Sequence, residues 1–348
     1  MLEGIDGVEL EKVIVHRVGN PSRSEQLVLS QNPLTLNDGD VKKLLSHYFL
    51  KTFNPHEWWQ FTHTTHLQYN EVYNYCKQLF EQPQQLVTIS AQIASFLYQQ
   101  STHSKVKEGE LYVALLNKVL VNNQFYQAIG IFKSEQKDVF LKVFQHGKSF
   151  ELASDEGIDI KKLDKGCLIL NTQSADGYQV LVVDATNKTD AQYWVSQFLQ
   201  VQPVATSYSQ TNEHMHMLRN FITKTYPEKF EVSKTDQIDL LQKTMHYFAE
   251  NDAFNAETFA QEVMQHPEVI ETFQQHKQLY QQNTALPMED EFDIHLAAVQ
   301  RQSKVYKTVI KLDKNFHIYV HGNRQLIERG YDEFTGKSYY KIYFDEEK

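Results

Sequence analysis

Leu111-Tyr112-Val113-Ala114-Leu115-Leu116-Asn117-Lys118-Val119-Leu120-Val121, then Asn122-Asn123, then Phe125 to Phe132, is the stretch that decides the fold. Aliphatic, β-branched and aromatic residues fill both runs, and the two asparagines between them tolerate the backbone of a tight turn. Two antiparallel strands follow, with a third at Val139 to Phe144, which together predict an antiparallel meander. Further on, Cys167 to Leu170 and Tyr178 to Val183 flank Ala175-Asp176-Gly177, whose Asp-Gly pair accepts positive φ. That is a second hairpin signal.

Towards the N-terminus, Glu11 to Val18 alternates and is rich in β-branched residues, Gly19-Asn20-Pro21-Ser22 interrupts it, and Leu27-Val28-Leu29 resumes. Val41, Leu44, Leu45, Tyr48 and Phe49 lie at helical spacing behind Asn37 or Asp38 as N-cap. Helices are predicted near 69–82 and 86–100, parted at Pro83, and another over Asp190 to Leu199. Beyond Val201-Gln202-Pro203, the segments 213–225, 233–250, 255–265 and 267–282 predict a run of helices, with Ser233 and Asp236 approximating a capping box.

Period two returns near the C-terminus. Tyr306, Thr308, Ile310 and Leu312 alternate with Lys307, Val309 and Lys311; Phe316, Ile318 and Val320 alternate with His317, Tyr319 and His321. A last run puts Tyr340, Ile342 and Phe344 on one face and Tyr339, Lys341 and Tyr343 on the other, after a turn at Gly336. The fold class is therefore α+β. Residues 1–200 form an α+β domain with an antiparallel sheet, 201–300 a helical middle region, and 301–348 a small basic β-rich module.

Composition narrows the function. With 348 residues, 41% apolar and 12% aromatic, the chain has ample material for packed cores. Met1-Leu2-Glu3-Gly4-Ile5-Asp6 has no apolar run behind it and no window approaches eighteen uninterrupted apolar residues, so neither export nor membrane insertion is expected. Cys76 and Cys167 each lie in an apolar stretch and read as buried thiols of a reducing compartment. A net charge of −10 argues against a surface that coats nucleic acid throughout. The charge is uneven, however. Arg301 to Lys341 carries nine Lys/Arg against four Asp/Glu, whereas residues 1–300 carry 24 against 37.

Few residues form a pattern that carries chemistry. His56-Glu57-Trp58-Trp59-Gln60 begins like a zinc-protease helix, but the second histidine would have to stand where Gln60 does. His63 with His66 on a helical face, and His214 with His216 on a strand, could pair two imidazoles, but such pairs are what chance supplies among 15 histidines. No phosphate-cradling glycine loop, dinucleotide fingerprint or nucleophile elbow occurs, and no cofactor is expected. A metal-dependent nuclease built from distant carboxylates remains an alternative, without any compact motif to support it. The strongest candidate is the C-terminal sheet, where Lys307, Lys311, His317, Tyr319, His321, Tyr339, Lys341 and Tyr343 would share the wetter face. Lysines supply phosphate contacts and tyrosines stacking surfaces. The competing reading is that tyrosines pack strands and lysines guard their edges.

The run from Thr308 to Gly322, Thr-Val-Ile-Lys-Leu-Asp-Lys-Asn-Phe-His-Ile-Tyr-Val-His-Gly, resembles the C-terminal module of the 37 kDa nucleoid-associated proteins of the NdpA/YejK type. Leu326 to Asp332 and Lys337 to Phe344 continue the likeness. The opening strand with His16, the strand Glu110 to Leu116, and Ile158 to Asp164 resemble that family as well. The resemblance implies a cytoplasmic, nucleoid-associated, non-enzymatic protein that contacts DNA, is dimeric, and in some members partners type II topoisomerases. It carries no site residues over, so the eight residues above come from pattern alone. Familiar members continue into a polar, partly basic tail where this sequence has Asp345-Glu346-Glu347-Lys348, so tail-mediated DNA contact is not expected. The alternative to direct DNA binding is an adaptor whose acidic body docks a basic protein such as a topoisomerase.

Overall fold

The computed structural model describes residues 7–121, 123–185, 193–284, 286–306, 309–320 and 326–346. The chain forms two compact units, Met1–Val204 and Ala205–Lys348. In the first, strands β1 (Glu9–Val18) and β2 (Leu27–Val28) precede helix α1 (Gly39–Leu50), which Asp38 caps by accepting from the amides of Asp40 and Val41. Strand β3 (Trp58–Phe61) and helices α2 (Glu71–Glu81) and α3 (Leu86–Gln100) follow. Then come β4 (Gly109–Val121), β5 (Gln124–Ser134), β6 (Lys137–His146), β7 (Ser149–Ile158), β8 (Lys165–Leu170), β9 (Gln179–Asp184) and β10 (Val201–Pro203).

Eight of these strands make one antiparallel sheet in the order β10-β3-β9-β8-β5-β4-β1-β2. Its central strands are apolar almost without interruption because both faces are covered. Val113, Ile129, Ile131, Cys167 and Ile169 meet Val72, Cys76, Ile89, Ile93 and Leu97 of α2 and α3. On the opposite face Tyr112, Ala114, Phe132, Leu168 and Leu170 meet Tyr48, Phe49 and Leu50 of α1. There the rings of Phe49 and Phe132 stack at 4.1 Å. The thiols of Cys76 and Cys167 are free and buried, and burial pushes both well above their ordinary range.

The expected sheet is present, with one change in its order. Val139 to Phe144 is a strand, but β6 leaves the sheet to pair only with β7, from Lys137↔Ile158 to His146↔Ser149, and β5 pairs with β8 instead. The resulting two-stranded arm is exposed along almost its whole length. Gly177 takes φ +99 in the β8–β9 connection, where an added Cβ would lie 2.3 Å from the carbonyl oxygen of Phe61. Of the segment Asp190 to Leu199, residues 190–192 lie outside the described residues, and Tyr193–Leu199 is a π-helix with Trp194 and Phe198 buried. His56 to Gln60 leads into strand β3, so the protease-like motif does not sit on a helix.

The second unit opens with α4 (Ser207–Asn220), prolonged by a π-helical turn at Phe221–Thr225, and continues through α5 (Tyr226–Lys229) and α6 (Lys234–Glu250). Strand β11 (Ala253–Asn255), α7 (Ala256–Phe259) with a π-helical turn at Ala260–Met264, α8 (Pro267–Gln281), β12 (Glu291–Asp293) and α9 (Leu296–Ser303) complete its helical part. Met215, Phe221, Phe248, Phe254, Phe259 and Phe273 anchor a core that reaches Tyr306. His214 and His216 are on helix α4, not on a strand. The unit ends in β13 (Val309–Leu312), β14 (Phe316–Tyr319), β15 (Ile327–Asp332) and β16 (Lys337–Ile342).

Candidate nucleic-acid interface

The two C-terminal hairpins are separate two-stranded sheets, β13–β14 and β15–β16. In the first, Val309 faces Tyr319 and Lys311 faces His317, while Ile310 faces Ile318 and Leu312 faces Phe316. Directly paired residues share a face of an antiparallel ladder, so Lys311, His317 and Tyr319 lie together, opposite Ile310. All three are exposed, whereas Ile310 is buried. The connecting turn is tied by the Asp313 carboxylate, which accepts from the amide of Asn315 at 2.8 Å.

In the second hairpin, Glu328 pairs with Lys341 and Gly330 with Tyr339, while Ile327 pairs with Ile342 and Arg329 with Tyr340. Tyr339 and Lys341 thus share one exposed face. Tyr343 continues it just past the strand, where its amide donates to the carbonyl of Leu326 at 2.8 Å. The Lys341 ammonium stands 4.7 Å from the centre of the Tyr343 ring. Contact with the Tyr343 hydroxyl raises the ammonium's pKa. Gly330 leaves room for the Tyr339 ring, since a Cβ there would lie 2.2 Å from it in its present position. Asp332 fixes the turn by accepting from the Phe334 amide at 3.0 Å and the Thr335 hydroxyl at 2.6 Å. Those bonds hold its carboxyl below the usual range.

A small apolar cluster joins the hairpins: Ile238 of α6 with Ile310 and Val320, flanked by Leu312, Ile318, Ile327 and Tyr340. The single wet face expected from period two is therefore two faces, one with Lys311, His317 and Tyr319, the other with Tyr339, Lys341 and Tyr343. Lys307 and His321 lie outside the described residues. Beside the cluster a cleft of about 550 Å³ opens, lined by Lys234, Lys311, Leu312, Asp313, Phe316, Arg329, Ser338 and Tyr340. Of the six expected residues that are described, Lys311 alone lines it. Lys234 was invisible to pattern reading because it begins a helix 77 positions before Lys311. Arg329 had a signal, a cation at the same strand parity as Ile327 and Tyr331, that charge counting alone did not use.

The other convergence of charge, in the first unit, has a different character. Lys133 and Lys165 are fully buried. The Lys133 ammonium donates to the Lys107 carbonyl at 2.8 Å, Glu135 Oε1 at 3.0 Å and the Tyr193 hydroxyl at 3.3 Å, which uses its three protons. Lys165 meets Asp184 at 2.7 Å, and both ammoniums lie within 6 Å of the Tyr193 ring. Desolvation lowers the Lys133 pKa, opposed by Glu135. This cluster clamps strand ends together. His63 and His66 are likewise spent locally, each accepting a backbone amide two residues on. Among the described residues, no group of three His, Cys, Asp or Glu could hold a metal ion. No helix there is long and apolar enough to cross a membrane.

A family model described as nucleoid-associated protein YejK matches residues 14–343. The chain belongs to that family. The match spans both units and ends within the second C-terminal hairpin's face, at Tyr343, so the likeness read from Thr308 to Phe344 lies almost wholly inside it. A search of the curated proteins finds no match. Nucleoid association is thus a property of the family.

Proposed function

We propose that this member of the nucleoid-associated family binds DNA directly, without catalysing a reaction, through its C-terminal hairpins. One observation carries the reading: in a chain of net charge −10, the hairpins gather exposed lysines and tyrosines on two faces. Lysines neutralise phosphates, and exposed rings add contact that does not depend on sequence. The contact is local because residues 1–300 are acidic and repel the duplex. The chain would act in the bacterial cytoplasm, at the nucleoid.

Fluorescence anisotropy with a labelled duplex across a salt series tests this. Replacing Lys311, Lys337 and Lys341 by Gln is expected to weaken binding and reduce the slope of log K against log salt by about 0.9 for each phosphate no longer neutralised. An unchanged slope would rule out the hairpins as the DNA-binding surface. Truncation is a poorer test before Tyr306, whose buried hydroxyl donates to the Met215 carbonyl at 2.5 Å within the helical core.

The β6–β7 arm supports a homodimer. Val139, Leu141, Val143, Phe150 and Leu152 share one face of it, each at least 63% exposed. An isolated two-stranded hairpin is marginal in water. At roughly 100 Å² apiece, five such side chains give ~1,000 Å² across a two-fold pair, the lower edge of a specific interface. Leu141→Ser with Val143→Ser should then shift the mass measured by sedimentation from dimer to monomer. A second reading rests on the 24-against-37 charge count of residues 1–300. In it the acidic body docks a basic protein, such as a type II topoisomerase, and DNA is reached only through that partner. It prevails if the purified chain fails to shift DNA at low salt.

A further inference from the structure

We infer that the cleft between the C-terminal hairpins and the start of α6 seats a backbone phosphate of DNA, held by Lys234, Lys311 and Arg329. This inference rests on the DNA-binding reading above and gives it a definite seat, which shares Lys311 with the outward face of the first hairpin and adds Lys234 and Arg329.

Three cations line the cleft against one carboxylate, Asp313. Among the described residues, the side chains of Lys311 and Arg329 form no hydrogen bond or ion pair, and that of Lys234 meets only Gln237 Oε1, at 2.9 Å. The buried lysines of the first unit show the contrast, since each is matched by a carboxylate within 3.0 Å. Unmatched cations gathered round one concavity repel each other unless an anion enters. The capped start of α6 does not offer the amides of Ser233 and Asp236 to the anion, because the two residues already satisfy one another's.

The size and walls narrow the class of anion. About 550 Å³ is within the range of small-ligand sites and exceeds what a bare phosphate fills. Phe316, more than half exposed, and the half-buried Tyr340 line the same space, with the hydroxyls of Ser338 and Tyr340 as further donors. Arg329 pairs directly with Tyr340 in the ladder, so the guanidinium and the ring issue from one face. A guanidinium offers a planar fork to phosphate oxygens, and rings beside it accept the adjoining sugar or base. The chemistry is that of a phosphodiester with its flanking nucleoside.

The test uses the full chain with a labelled DNA duplex and a labelled single strand, measured from low to moderate salt. The double variant Lys234→Gln/Arg329→Gln leaves the outward faces intact. It is expected to weaken DNA binding about tenfold and to lower the salt slope by about one to two, with the unfolding temperature unchanged. Asp313→Asn preserves the acceptor that ties the turn and the tolerance for its φ of +41, while removing the one carboxylate among the described residues that line the cleft. It is expected to tighten binding severalfold, a sign that structural damage does not produce. Wild-type binding with unchanged affinity and slope in both variants would overturn the cleft and leave DNA binding standing. No wild-type binding to either DNA would overturn both. Should inorganic phosphate or a deoxymononucleotide bind at micromolar concentration, be lost in the double variant, and leave its DNA affinity unaltered, the cleft is a free-phosphate site and the assignment to DNA is wrong.

Discussion

The eight-stranded sheet of the first unit and the two C-terminal hairpins are written in the same alphabet of Val, Ile, Leu, Tyr and Lys, yet the lysines end in opposite states. In the sheet both faces are covered, so Lys133 and Lys165 are buried and each is held against a carboxylate. In the hairpins only a small cluster around Ile238, Ile310 and Val320 is buried, so Lys311 and Lys341 remain exposed. A strand lysine is thus a buried clamp or a solvated charge according to what covers the strand. Desolvation makes the first dependent on its partner, and solvation leaves the second free to meet a phosphate.

That contrast can be broken most sharply at Lys133. Lys133→Ala removes the cation 3.0 Å from the Glu135 carboxylate in a dry site, where the Tyr193 hydroxyl still donates to it, and should destabilise the first unit by about 3–5 kcal/mol, read from denaturant unfolding. DNA affinity of the folded fraction should not move. A loss below about 1 kcal/mol would show that the clamp is not the buried, mutually dependent network described above.

Acid should act on the two covered cores and spare the hairpins. His16 accepts the Ser30 amide at its Nδ1, and His214 donates from Nδ1 to the Gln210 carbonyl, so each buried ring is neutral with a single proton. Burial lowers both pKa values from 6.5 to about 4. The unfolded chain therefore binds more protons between those values. Stability falls as pH drops from about 6.5 to about 4, by of order 2–3 kcal/mol per histidine, and is level above that window. His16→Gln and His214→Gln should each flatten the acid limb of the profile, and a profile they leave unchanged would contradict the assignment.

A smaller effect is expected at Gly330. Gly330→Ala drives a Cβ into the space of the Tyr339 ring, which is exposed and able to turn away. The cost should be about 1 kcal/mol, local to the hairpin, with faster amide exchange in β15 and β16. Smallest of all, Lys341→Gln should leave the unfolding temperature alone and lower the salt slope of DNA binding by about one. If Lys341→Gln instead unfolds the hairpin, the lysine guards structure and not a ligand.

The sheet was legible because the covered strands around Val113, Ile131 and Ile169 leave nearly unbroken apolar runs, and because Asp176-Gly177 marks a turn whose glycine does take positive φ. Helix starts were legible at Asp38 and Ser233 for a local reason, the side chain reaching the next two or three amides. The pairing of β6 was not. A run from Val139 to Phe144 that is apolar on both sides reads as a covered strand, whereas it stands out as an arm, and periodicity says nothing of what lies opposite. Strand β3 was hidden for the reverse reason, since Trp58 to Phe61 is too short to show a period. At the C-terminus alternation found which residues share a face within each hairpin. It could not show that there are two faces, nor bring Lys234 to Lys311 and Arg329, because that proximity is made by the packing of Ile238.

Amide hydrogen exchange of the full chain, with and without a DNA duplex, tests most directly that the hairpins and not the acidic sheet meet DNA. Slowed exchange is predicted in peptides covering 309–319, 327–343 and the first turn of α6, with the strands of the first unit unchanged. Protection in the first unit, or in the β6–β7 arm, with none in the hairpins would contradict the account.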